Sequence, residues 1–180
     1  MTRLRQAGGY SIAELMFTLA LLTILAAVAY PSLIRAHSNS IEVSSVSSLR
    51  MILRAQAVFA ATCAGGFYAP SISWLAREGG PGREAFIGPD LDGNIVDRRG
   101  YRIRFTAGPA VSTAPRTCNG LGAGRTVRVY FVAADPLETT GPASVGRHFG
   151  LNAGGVVFQS PKRVRPVFAG SPPPPAKPLQ

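Results

Sequence analysis

From Leu15 to Ile34 the chain reads LMFTLALLTILAAVAYPSLI without a charge, and Glu14 is the only charged residue between Arg5 and Arg35. As a helix, these roughly twenty residues rise about 30 Å, the thickness of a bilayer's hydrocarbon core. The pattern therefore predicts a helix able to cross a membrane. Pro31, late in the run, lacks an amide hydrogen and crowds the carbonyl four residues back, which predicts a kink or local opening. Beyond it the periodicity changes. Val46, Leu49, Leu53, Ala57 and Ala60 recur at spacings of three and four, with Ile52 widening the stripe. Ser38, Ser40, Ser44, Ser47 and Arg50 fall on the opposite face, so 35–64 reads as an amphipathic continuation of the helix. The paired glycines of Cys63-Ala64-Gly65-Gly66 supply its stop.

Residues 65–100 are rich in Gly and Pro and predict loop, with one short helix around Ser71 to Arg77. Period-two alternation then returns in Tyr101-Arg102-Ile103-Arg104-Phe105 and, in part, in Val127-Arg128-Val129-Tyr130-Phe131-Val132. Each reads as a strand with one face in the core. A further pair, around Arg147-His148-Phe149 and Val156-Val157-Phe158, is separated by Gly150 to Gly155, which predicts a hairpin loop. Three to four antiparallel strands packed on the second half of the long helix make an α+β domain over 65–168. The end, SPPPPAKP, predicts an extended, mobile tail over 169–180 with neither sheet nor helix.

Composition adds a charge problem. The 180 residues carry a formal charge of +10, and Lys162 and Lys177 are the only lysines, so the excess is arginine. Such an excess suits phospholipid headgroups, nucleic acid or an acidic neighbouring subunit, although no dense Lys/Arg run occurs and a solvated basic surface explains it as well. Cys63 and Cys118 lack the C-x-x-C spacing of a zinc or redox site. In an exported domain they would form one disulfide, constraining the unfolded chain by about 4 kcal/mol; in a reduced compartment they would be two buried thiols. Upstream of the apolar run, Arg3 and Arg5 would hold the N-terminus in the cytoplasm and place the remainder outside. A cleaved secretory signal competes, with an A-x-A site at Ala26-Ala27-Val28-Ala29. Glu14 argues against it, because a carboxylate at the start of an apolar run is costly and needs a partner.

Gly9-Tyr10-Ser11-Ile12-Ala13-Glu14-Leu15-Met16, after a short basic leader and before an apolar span ending at Tyr30-Pro31, resembles the N-terminal signature of type IV prepilins and the pseudopilins of type II secretion. The resemblance implies that a membrane-embedded aspartyl prepilin peptidase removes the leader, 1–9, by cutting between Gly9 and Tyr10 and N-methylates Tyr10. Glu14 is then the fifth mature residue, as in that family, and 10–34 becomes a transmembrane and later filament-core helix. Tyr10 stands where phenylalanine is usual and Ala13 where a larger aliphatic is usual. Cleavage would remove Arg3 and Arg5 and create an amine at Tyr10, and the Glu14 carboxylate of one subunit could meet that amine in a neighbour. A buried pair of this kind suits the fixing of register better than the supply of stability.

The resemblance further implies a structural subunit rather than an enzyme. Its partners would be copies of itself or related pilins, an inner-membrane assembly platform and membrane lipid. Its place would be the inner membrane, single-pass with the C-terminal domain in the periplasm, and then a filament at the cell surface. The alternatives are a type II secretion pseudopilin and a membrane-anchored minor pilin that binds DNA or surfaces.

No enzymatic constellation emerges from the remaining residues, and no cofactor is expected. His37 and His148 are the only histidines, too few for a catalytic or metal pair without an unsupported contact. Asp90-Leu91-Asp92-Gly93-Asn94 alternates oxygen ligands as a calcium loop does, yet Ile95 replaces the turn glycine and Tyr101 the bidentate acid. Some pseudopilins bind calcium, so Asp90 and Asp92, or the Asp135/Glu138 loop, stay as candidates beside a plain Asp-Gly turn. Gly120 to Arg125 lacks the lysine and hydroxyl of a phosphate-binding loop. Arg98, Arg99, Arg102 and Arg104, interleaved with Tyr101 and Phe105, are the candidate DNA contact. The same arginines on an exposed strand face would equally serve subunit contacts or protect an edge.

Overall fold

A computed structural model describes residues 11–79, 82, 84–137, 146–168, 170 and 173–179. The leader, the cut between Gly9 and Tyr10, the methylation at Tyr10 and the candidate Glu138 lie outside the described residues. The chain divides into two compact units, Met1–His37 and Ser38–Gln180. Helix α1, Ile12–Thr62, contributes to both.

In the first unit the helical backbone continues on both sides of Pro31, so the expected local opening is not seen. One missing amide donor removes a single rung, and the rungs around it hold. The apolar side chains here are exposed, among them Leu15, Met16, Phe17, Leu22, Ile24 and Leu25. The hydroxyls within the run are satisfied locally: Thr18 donates to the Leu15 carbonyl at 2.9 Å, Thr23 to Ala20 at 2.8 Å and Ser32 to Ala29 at 2.7 Å. Such internal bonding is what a polar side chain needs where water is absent.

The second unit is an α+β domain. The remainder of α1 packs on a six-stranded antiparallel sheet whose spatial order follows the sequence: β1 (Ile95–Arg98), β2 (Tyr101–Ala107), β3 (Tyr130–Pro136), β4 (His148–Asn152), β5 (Val157–Ser160) and β6 (Lys177–Pro178). A short helix α2 (Ile72–Leu75) and a 3-10 turn at Pro89–Leu91 precede the sheet. The alternation read in 101–105 is borne out: Tyr101, Ile103 and Phe105 are buried against the helix, and Arg102 is exposed. They share one core with Leu49, Ile52 and Phe59 of α1 and with Tyr130, Val132, Phe149 and Leu151. Each such side chain contributes about 1.5–3 kcal/mol of transfer free energy. Strand β3 is buried on both faces, because Val164 and Phe168 cover Phe131 and Ala133 from the other side.

Four expectations need correction. The buried face of α1 is rotated from the predicted stripe: Ala57 is exposed and Val46 and Leu53 are half-buried, whereas Glu42, Ser45, Ser48 and Gln56 are buried with Leu49, Ile52, Phe59 and Ala60. The polar members are accommodated by bonding: Ser45 and Ser48 donate to the carbonyls of Glu42 and Ser44. Gln56 accepts from the Ala69 amide at 2.8 Å and donates to its carbonyl at 3.1 Å. Gly150 belongs to β4 rather than to a turn, because a Cβ there would lie 2.8 Å from Cζ of Phe131; the connection shortens to 153–156. Strand β1 lies in the stretch expected to be loop; only four residues pair and their outer face is exposed, so the alternation that marks a strand is too short to stand out. The proline-rich tail was expected to pair with nothing, yet Gln159 pairs with Lys177, Phe158 with Pro178, and the Leu179 amide donates to Val157 at 2.8 Å. Proline is tolerated because this is an edge strand and a neighbouring residue supplies the donor.

Candidate functional site

Glu14 is the one ionisable side chain of the described apolar run, exposed in the first turn of α1. The first helical rung is the Leu15 amide to the Ser11 carbonyl, 3.1 Å. Ser11 therefore stands at the helix start with Glu14 three residues on, the S-x-x-E spacing of a capping box. Negative charge here also complements the helix dipole. The spacing makes capping a second candidate role, which sequence reasoning missed although the spacing was visible. Any assembly role for the carboxylate must be separated from capping.

At the far end of α1, Gly65 and Gly66 take φ of 59° and 91°, and the Gly66 amide returns to the Ala60 carbonyl at 2.8 Å. This glycine stop delivers Cys63 to Cys118. The two form a disulfide with Cα atoms 4.9 Å apart, which the sequence had left open. The Cys118 amide also donates to the Cys63 carbonyl at 3.1 Å.

The four candidate DNA-contacting arginines do not act as one free cluster. Arg98 pairs with Asp90 at 2.8 Å, and Arg102 grips Asp97 through two bonds of 2.7 Å across the β1–β2 ladder. Hydrogen bonding to Arg102 holds the Asp97 carboxyl below its ordinary range. Arg104 is bound to Asp135. Arg99, at the hairpin tip with φ of 45° and followed by Gly100 at 81°, is exposed, and no partner for it is seen among the described residues. Two successive positive φ values make a type I′ turn, whose twist suits a two-residue hairpin.

Asp135 is the most heavily engaged acid, with its side chain only 4% exposed. It receives Arg104, the ring Nδ1 of His148 at 2.6 Å and the Arg163 Nε at 3.5 Å. Three basic groups around one buried carboxylate leave it unsuited to a cation, so the candidate calcium role of Asp135 has no geometric support. Asp90 is similarly occupied by Arg98, while Asp92 is exposed. Among the described residues no three His, Cys, Asp or Glu side chains converge as a metal site would require. His37 and His148 fall in different units, and His148 is held by Asp135.

One ion pair ties α1 to the residue before β4: the largely buried Glu42 binds the half-exposed Arg147. Tyr101 donates its hydroxyl to the Arg147 carbonyl at 2.8 Å. Burial pushes the Tyr101 phenol above its ordinary pKa, and Glu42 adds to the shift while Arg147 opposes it. These groups are consumed in holding the domain together.

By length and composition, one helix near the N-terminus is able to cross a membrane. Comparison with protein-family models, curated proteins and solved structures finds no match to the chain.

Proposed function

We propose that the chain is a type IV pilin-like structural subunit, made as a prepilin, cut between Gly9 and Tyr10, methylated on Tyr10, and polymerised with its apolar helix at the core of a filament. The observation that carries this reading is one carboxylate, Glu14, in an otherwise uncharged and largely exposed helical run that begins directly after Gly9-Tyr10-Ser11. Exposed apolar surface of this extent needs lipid before assembly and neighbouring helices after it. Within such a bundle an unpaired carboxylate is costly, and the amine created by cleavage is the nearest cation of opposite sign. The pair sets the axial alignment of neighbours, while apolar packing supplies most of the cohesion. The disulfide agrees with a domain that matures outside the cytoplasm.

Two measurements test this. The mass of the mature N-terminal peptide is expected to match a chain starting at N-methylated Tyr10; a start near Ala29 refutes the class. Glu14→Gln keeps the capping capacity of a Glu/Gln at this spacing but removes the charge. Processing is expected to continue in Glu14→Gln and Glu14→Ala, with filament assembly impaired in both. Normal filaments from Glu14→Gln with defective ones from Glu14→Ala would assign Glu14 to capping instead.

A further inference from the structure

We infer that the tip of the β1–β2 hairpin and the adjoining face of α1 form a site for a phosphate group, supplied by an anionic phospholipid headgroup. Arg98 and Arg99 line a cleft of about 370 Å³ with Ser40, Ser44, Ser47 and Ser48 and with the apolar Val43 and Met51. Among the described residues no acidic side chain lines it. Arg98 gives one terminal nitrogen to Asp90 at 2.8 Å, while its other, Nη1, is buried and has no hydrogen-bond partner. A buried guanidinium donor without an acceptor is costly; a side-chain rotation that turns Nη1 into the cleft would let a phosphate oxygen satisfy it. Arg99 adds a second guanidinium. Ser40, Ser44 and Ser47 recur every three to four residues, so they share one helix face. Their neighbours Ser45 and Ser48 instead return their hydroxyls to the α1 backbone. Two guanidinium groups beside several hydroxyls suit a tetrahedral oxyanion.

The position selects the source. Gly100 abuts α1 so closely that a Cβ would lie 3.3 Å from Ile41 Cγ2, which seats the hairpin tip on the first turns of the second unit. Ser40 follows Ile34, the end of the apolar run, by six positions within α1. Six residues of chain span at most about 22 Å in any conformation, so Ser40 is tethered within reach of the headgroup layer when the apolar run crosses a bilayer. This short tether favours a lipid phosphate as the ligand. The site requires neither filament assembly nor leader cleavage, so its test is independent of the proposed function.

The full chain is reconstituted in phosphatidylcholine with and without phosphatidylglycerol, and retained lipid is read by native mass spectrometry. Wild type is expected to retain phosphatidylglycerol in preference. Arg99→Asn is expected to lower that retention about fivefold, the worth of one arginine near an anionic surface. This variant also makes an Asn-Gly turn, which favours the hairpin, so misfolding does not explain a loss. Ser44→Ala with Ser47→Ala is expected to lower retention as well. Arg125→Gln, which removes an exposed arginine from another loop, is expected to change nothing. A parallel arm compares inorganic phosphate with chloride at matched ionic strength in uncharged detergent. Melting raised by phosphate in wild type but not in Arg99→Asn, with no lipid preference, would keep the site and assign it to free phosphate. Equal retention of both lipids with no phosphate effect overturns the site. An equal loss in Arg125→Gln also overturns it, because net charge would then explain the binding.

Discussion

The Cys63–Cys118 bridge spans 55 positions of the chain, and its removal tests how the second unit is held together. Closing a loop of that length lowers the entropy of the unfolded chain enough to stabilise the fold by about 4 kcal/mol. The native contacts around it are modest by comparison: the Cys118 amide bonds the carbonyl and Sγ of Cys63, each at 3.1 Å, and Cys118 is exposed while Cys63 is buried in the core. Replacing both cysteines by alanine therefore removes mainly the constraint, together with about 1 kcal/mol for the buried Cys63 sulfur. Trp74, the only tryptophan, reports on the same region, because Asn119 Nδ2 donates to its carbonyl at 2.7 Å. In urea titrations of the full chain in mild detergent, followed by Trp74 emission, the midpoint is expected to fall by about 2 M for a denaturant slope of about 2 kcal/mol/M. Reducing the wild-type bridge is expected to give the same midpoint. A shift below about 0.5 M in either sample would refute the reasoning, since it would mean that the unfolded chain gains little freedom when the link is cut.

The remaining predictions concern buried polar groups of the same unit. Gln56→Leu keeps the volume but strands both the amide and the carbonyl of Ala69; a loss of about 2–5 kcal/mol is expected in the same titration, and a loss under 1 kcal/mol would show that these groups find other partners. Tyr130 is the converse case, because its hydroxyl is buried without a partner. Tyr130→Phe is expected to be neutral or to stabilise by about 1 kcal/mol. Burial raises the Tyr130 phenol above its ordinary pKa, so its neutral form is favoured in the fold and that stability is lost as pH rises through the folded value. A spectrophotometric alkaline titration is expected to show one late-ionising tyrosine fewer in the variant, and a drop in stability at neutral pH would instead reveal a hidden acceptor.

What was legible in the sequence follows from the range of the forces involved. The apolar run, the amphipathic helix, its glycine stop and the alternation in β2 are local patterns, and each is written within one element. Strand β6 was not legible, because its pairing depends on β5 rather than on any preference of a proline-rich segment for sheet. Gly150 misled for a related reason: glycine marks both turns and close approaches, and only the Phe131 ring from the next strand decides between them. The rotation of the buried face of α1 has the same origin. Glu42 and Gln56 look like solvent residues until Arg147 and Ala69, far along the chain, supply their partners.

The same distinction orders the candidate chemistry. Arg98, Arg102 and Arg104 looked like one basic cluster because they are close in sequence, yet their charges are divided among Asp90, Asp97 and Asp135, three carboxylates on different elements. Alternation had placed the side chains on faces without saying what lay opposite. Glu14 differs, because the absence of any other charge in the apolar run is a property of the run itself, and so its cost was readable from sequence alone. That cost does not identify the partner, since a capping box uses the carboxylate within one helix and an ion pair uses it between two. The charge is dispensable to the first role and indispensable to the second, which is why the neutral isostere Glu14→Gln, rather than alanine, decides between them.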